Sequence, residues 1–118
     1  PRDIDDEERE RWIAEVKFLK AYYHFYLFRQ YGPIPIVDQN LPVSTDVDEV
    51  AIYRNTVEEV TEYIVNLLDE AAAILPTIIE NTTEEMGRIT KPIALALKAK
   101  LLTLPAPCLM ETATIQAW

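Results

Sequence analysis

Apolar residues in the first part of the chain recur at spacings of three and four. Trp12, Val16, Leu19, Tyr23 and Tyr26 form one such series, and Ala14, Phe18, Ala21, Phe25 and Phe28 form a second. Both have the α-helical period, so one helix with two apolar stripes is predicted over about residues 4–31. A helix striped in this way is expected to be covered on both sides, as in stacked helical hairpins. Its opening carries Asp3, Asp5, Asp6, Glu7, Glu8 and Glu10, negative charge where the dipole of a helix start favours it. Gly32 and Pro33 should stop it. Ile34-Pro35-Ile36-Val37 then reads as extended, because a residue before proline is pushed out of the α region.

Residues 38–54 are polar, contain Pro42 and read as a connecting loop. Thr56 followed by Glu59 has the spacing of a capping box. From there Val60, Ile64, Leu67, Leu68, Ala71 and Leu75 keep the helical period up to Pro76, predicting a second helix. Residues 77–89 read as another loop. Thr90 is placed to cap a third helix, with Pro92 tolerated in the first turn and Ile93, Ala94, Leu97 and Leu101 on the buried face. Pro105 and Pro107 should end that helix early. The pattern is all-α, an array of helical hairpins.

Composition narrows the function classes. The chain has 118 residues, one domain's worth, and its 49% hydrophobic and 26% charged content suits a packed protein better than a disordered tail. Twenty acidic against eleven basic residues leave a net charge of −9, which argues against a basic nucleic-acid footprint. A single cysteine, Cys108, excludes an internal disulfide framework and a multi-Cys zinc site, and a single histidine, His24, excludes a His-rich metal cluster. No apolar run approaches the roughly 20 residues of a membrane-spanning helix, and no secretory signal is present. Pro1 is not a translational start, so the chain is expected to be a processed product or an excised piece.

No catalytic constellation stands out. His24 has no second histidine and reads as a packed or hydrogen-bonded helix residue. Asp69 and Glu70 are adjacent on a helix, point about 100° apart and read as solvated face, not as an acid–base pair. The N-terminal acidic run lacks the glycine and spacing of an EF-hand loop. Asn81-Thr82-Thr83 has the form of a glycosylation acceptor. Ser44 has neither a nearby histidine nor nucleophile-elbow glycines. The aromatic group Tyr22, Tyr23, Phe25, Tyr26 and Phe28 could stack on sugars if exposed, but its helical spacing is that of core residues.

Three segments carry a family resemblance. Ala14-Glu15-Val16-Lys17-Phe18-Leu19-Lys20-Ala21-Tyr22-Tyr23-His24-Phe25, continued by Arg29, Tyr31-Gly32 and Ile34-Pro35, resembles the SusD/RagB signature A-E-A-(K/R)-F-L-R-A-x-x-Y-F…R-x-Y-G-x-V-P. Val60 to Pro76, with Asp69, Ala72 and Leu75, resembles the family's I-x-x-D-L-x-x-A-x-x-x-L-P helix. Gly87-Arg88-Ile89-Thr90-Lys91, then Ala94, Ala96, Leu97, Lys98, Ala99 and Lys100, resembles G-R-(V/I)-T-K…A-x-A-L-K-A-R. The order is that of the family over about residues 12–102. Val16, Pro33, Pro92 and Lys100 depart from the pattern.

The resemblance implies an all-α architecture of tetratricopeptide-like helical hairpins, here incomplete. It implies a surface lipoprotein of the outer membrane in Bacteroidetes-type bacteria, binding glycans or other nutrients without catalysis or cofactor. Its expected partner is a SusC-type TonB-dependent transporter. Family proteins are several times longer, so residues 1–102 would be a helical part of the N-terminal half, and no ligand-binding residue is carried over to this sequence. Residues 103–118 depart from the family's L-Y-A-A-S-P-L-F-N-G-N. A set of codons for Y-A-A-S-P-L-F-N-G-N-S-D-Y, read one base later, encodes Thr103 through Ile115, so these residues are expected to be a frameshifted tail with Cys108 an accident of it. A fragment of this kind would leave apolar faces uncovered and self-associate through them, exchange of helices between copies being one route. The alternative is a stand-alone helical-repeat module for protein–protein interaction, although a 34-residue tetratricopeptide pattern is not evident.

Overall fold

The computed structural model describes residues 4–38, 40, 42, 45 and 52–104. Asp3, Ser44, Cys108 and the segment from Pro105 onward lie outside the described residues, as do the expectations placed on them. Three α-helices follow one another among the described residues: α1 (Asp6–Tyr31), α2 (Val57–Ile74) and α3 (Lys91–Thr103).

Local chemistry sets their ends. Asp5 takes the N-cap of α1, its carboxylate accepting from the Asp6 amide at 2.9 Å, so the helix starts two residues after Ile4. Gly32 closes α1 at φ 69° and ψ −132°, and its N–H donates to the Phe28 carbonyl at 2.9 Å. A side chain is strained in that backbone conformation, which is what glycine contributes here. The predicted capping box opens α2: the Glu59 amide donates to the Thr56 hydroxyl at 3.2 Å, and the Thr56 amide donates to the Glu59 carboxylate at 2.9 Å. Leu75, held extended before Pro76, ends α2.

Thr90 precedes α3 as predicted, but its hydroxyl makes no capping bond. The start of α3 is tied instead by backbone, with the Lys91 amide donating to the Pro76 carbonyl at 2.9 Å. That bond closes the 77–90 loop and makes α2 and α3 a hairpin.

Helix α2 lies between the other two, packing on both α1 and α3, while α1 and α3 meet only slightly. The core is the second α1 stripe, Ala14, Phe18, Ala21, Phe25 and Phe28, set against Val60, Ile64, Leu68 and Ala71 of α2, with Ala94 and Leu101 of α3 on α2's other side. Alanines at positions 14, 21, 71 and 94 are completely buried and allow the helix axes to approach closely. Thr61 is buried among them with its hydroxyl satisfied, donating to the Val57 carbonyl at 2.7 Å.

Two expectations are corrected. Ile93 is 47% exposed, because it sits about 100° round the helix from Ala94, and the buried face follows Ala94, Leu97 and Leu101. The first α1 stripe, Trp12, Val16, Leu19, Tyr23 and Tyr26, is not covered by the described residues. It lies about 160° round α1 from the core stripe, out of reach of a hairpin packed on one side.

Candidate functional site

Two polar clusters and an apolar groove lie against α1. The first cluster joins the α2–α3 loop to the N-terminal half of α1. Arg11 donates both terminal nitrogens to the Glu85 carboxylate at 3.1–3.2 Å, and Arg88 donates to Glu15 at 2.9 Å and Glu85 at 2.7 Å. All four side chains are only 20–27% exposed, so water screens them less than a surface pair. Desolvation pushes the Glu85 carboxyl up, but the Arg11 and Arg88 guanidiniums overcome it and hold it below the usual carboxylate range. Glu15 in turn raises the pKa of Arg88. Arg11 Nε is buried without a hydrogen-bond partner, 3.7 Å from Glu15. The cluster is structural in form, two guanidiniums bridged by two carboxylates.

The second cluster fastens the segment after α1. Lys20 donates to Asp38 at 2.6 Å, and the Tyr63 hydroxyl of α2 donates to the same carboxylate oxygen. Lys20 and then Tyr63 lower the Asp38 pKa, Asp38 and then Tyr63 raise that of Lys20, and burial followed by Asp38 raises that of Tyr63. Beside them Asn55 pins the same segment. Its amide donates to the Ile34 carbonyl at 3.1 Å, and its side-chain oxygen accepts from the Ile36 amide at 2.9 Å.

Between the end of α1 and this pinned segment lies a groove of about 450 Å³, lined by His24, Leu27, Tyr31, Pro33, Pro35 and Arg54, among others. That volume falls in the range of small-ligand sites. The His24 Nδ1 lies 2.8 Å from the Lys20 carbonyl, which only accepts, so Nδ1 carries a proton. The ring packs edge-on to Tyr63 with centroids 5.2 Å apart, so His24 is the hydrogen-bonded, packed helix residue its context predicts.

The other sequence candidates separate in space. Asp69 and Glu70 are about half exposed, but they do more than face solvent: Lys98 of α3 donates to Asp69 at 2.7 Å and Lys17 of α1 donates to Glu70 at 2.6 Å. Two adjacent carboxylates thus tie α2 to the helices on its two sides. The aromatic group divides. Phe25 and Phe28 are core, whereas Tyr22, Tyr23 and Tyr26 are 42–63% exposed, correcting the expectation of a common core. Asn81 lies exposed in the α2–α3 loop, its side chain accepting from the Thr83 amide at 3.3 Å. Among the described residues no group of three or more His, Cys, Asp or Glu is arranged to hold a metal ion, and no helix is long and apolar enough to cross a membrane. The contacts of Arg11 with Glu85, of Arg88 with Glu15 and of Asn55 with Ile34 and Ile36 had no marker in the sequence, since the partners lie 19 to 74 residues apart.

A family model for SusD-like proteins, described as starch-binding and associating with the outer membrane, matches residues 2–103. The chain belongs to the SusD-like family. Comparison with curated proteins gives no match. Among solved structures, a protein named BT4246 is 47% identical, with TM-score 0.75 over 86% of this chain and 16% of that one. A SusD-like protein from Bacteroides fragilis NCTC 9343 is 29% identical, with TM-score 0.72 over 84% of this chain and 18% of that one. A laminarin binding SusD-like protein is 28% identical, with TM-score 0.71 over 84% of this chain and 20% of that one. The chain spans a fifth or less of the length of these structures. The hairpins described above are the tetratricopeptide-like helices of that fold.

Proposed function

We propose that this chain is a helical scaffold portion, from the N-terminal half, of a glycan-binding SusD-like lipoprotein exposed on the outer membrane. In this reading the whole protein captures a glycan without catalysing a reaction and presents it to a SusC-type TonB-dependent transporter. The observation that carries the proposal is the family match across residues 2–103, which takes in all three helices. The geometry supports a scaffold role. Polar side chains around α1 are committed to one another, Arg11 and Arg88 to Glu85 and Glu15, and Lys20 to Asp38, which holds loops and helices in place.

Residues 103–118 belong to the proposal as a tail read from a shifted frame, a reading supported by the family match ending at residue 103. DNA sequence across the Leu102 codon tests it. A long open frame resuming Y-A-A-S-P-L-F-N-G-N supports the shift, and an intact present frame with the others closed overturns it.

Glycan binding is tested by titrating the family-length protein and this chain against a panel of polysaccharides that includes starch and laminarin. Saturable binding by the family-length protein, with none by the 118-residue chain, is the expected result. Co-purification with the transporter tests the partnership. A family-length protein that binds no polysaccharide and instead captures a soluble protein partner overturns the reading in favour of an interaction module.

A further inference from the structure

The α2–α3 loop, residues 77–90, closes on itself. Just outside its two ends the Lys91 amide donates to the Pro76 carbonyl at 2.9 Å. Its own backbone bonds stay within it, the Glu85 amide donating to the Asn81 carbonyl at 3.0 Å and the Arg88 amide to the Glu85 carbonyl at 3.1 Å. This is the form of an Ω-loop. Its apolar hold on the helices is small. Ile89 packs against the core, whereas Ile78 and Met86 are 74% and 80% exposed, and no residue from 77 to 90 is buried. Its polar ties to α1 are Arg11 to Glu85 and Arg88 to Glu15, with Arg88 also gripping Glu85 from within the loop.

Those ties work against their surroundings. A depression of about 700 Å³ lies between the start of α1, the end of α2 and the loop, and its walls are acidic, with Glu7 and Glu10 on α1 and Glu80 and Glu84 on the loop. Like charges across it repel, so two guanidiniums hold together surfaces that would otherwise separate. Few buried apolar contacts and exposed backbone bonds are the marks of a segment that opens ahead of the global transition.

We propose that the α2–α3 loop is a strap latched on α1 by Arg11 and Arg88, which swings open as one unit while the three-helix packing stays intact. The bond from Lys91 to Pro76 lies outside the moving part, so α2 and α3 remain a hairpin when the strap is released. Opening removes one wall of the depression and frees Ile89 from the core. Every group of the latch belongs to this chain, so the chain itself reports on it.

Single-amide hydrogen exchange of the 118-residue chain tests the strap, under conditions where the rate reports the opening equilibrium. The Glu85 amide should exchange faster than the Leu68 and Ala71 amides of α2. Ile64→Val loosens the helix packing, which the latched and open forms share. It should speed the α2 amides about fivefold and leave Glu85 unchanged. Arg88→Gln removes a latch present only in the closed form and should speed Glu85 about tenfold or more. Arg88→Lys keeps the charge but lacks the fork that grips two carboxylates, and should fall between. Glu10→Gln relieves repulsion across the depression without altering the loop and should slow Glu85 about twofold. A Glu85 amide that responds to Ile64→Val by the same factor as α2 overturns the proposal, because the loop then opens only with the helices. So does a Glu85 rate indifferent to Arg88→Gln, since the arginine would then hold nothing closed.

Discussion

Leu68 and Leu19 have the same side chain on helices that pack together, yet the fold gives them opposite roles. Leu68 is 1% exposed in the middle of α2, and Leu19 is 42% exposed on the outer stripe of α1. Truncating Leu68 to Ala removes buried methyl groups from the helix that both neighbours pack against. Full burial of a leucine is worth about 1.5–3 kcal/mol, and an unfilled cavity adds to the loss, so about 3 kcal/mol is expected within the usual range of about 2–5. For an array of this size that is a large part of the stability and corresponds to a fall in melting temperature of roughly 12–24 °C. Leu19→Ala should cost under about 0.5 kcal/mol, as for a surface position. Urea unfolding followed by helical circular dichroism measures both, at one protein concentration so that any association enters both variants alike. The slope with urea should not change. If Leu68→Ala costs under about 1 kcal/mol, or if Leu19→Ala costs as much as Leu68→Ala, then α2 is not the centre of the packing and the assignment of the two α1 faces is wrong.

Three further outcomes are expected. Thr56→Ala removes the hydroxyl that caps α2 and should cost about 1 kcal/mol in the same urea assay; a neutral result would mean that the box contributes nothing in this context. Gly32→Ala places a side chain at φ 69°, where the surrounding space is open but the backbone is strained, and should cost about 1–3 kcal/mol, whereas a stabilised variant would show that the turn at the end of α1 is different. Asp38, Glu59 and Glu85 are all held below ordinary carboxylate values, by Lys20 and Tyr63, by the Thr56 amide and Asn55, and by Arg11 and Arg88 acting against desolvation, respectively. Each binds its proton more weakly folded than unfolded. Their contribution is present above the unfolded values near pH 4 and is lost as pH falls through the lowered ones, so the urea midpoint should drop from about pH 4 downward. A midpoint independent of pH in that window would contradict the three pairings.

Much of the secondary structure was legible before any coordinates. The Thr56–Glu59 box, the Gly32-Pro33 stop and the proline after α2 all depend on a few adjacent residues and on the backbone angles those residues permit. The three family segments lie in order along the same helices, so the SusD-like assignment was also within reach of the linear sequence. The third helix was found with its start in the right place, but the hydroxyl cap expected at Thr90 was replaced by a backbone bond from Lys91 to Pro76, a partner fifteen residues away.

What periodicity could not decide was which of the two α1 stripes is core. Both repeat at 3.6 residues and both are apolar, and only the position of α2 separates them: it seats on the face whose alanines, 14 and 21, allow close approach, leaving Trp12, Tyr23 and Tyr26 outside. The ion pairs are a second such case. Asp69 and Glu70 are neighbours in sequence, and their ties to Lys98 and Lys17 exist because α2 is the middle helix with a partner on either side. Arg88 reaches Glu15 across 73 positions because the α2–α3 loop folds back beside α1. Helix formation is written in short-range backbone chemistry, so the sequence alone determined where the helices lie. Burial and charge pairing depend on which surfaces share a volume, and that was decided only when the three helices packed.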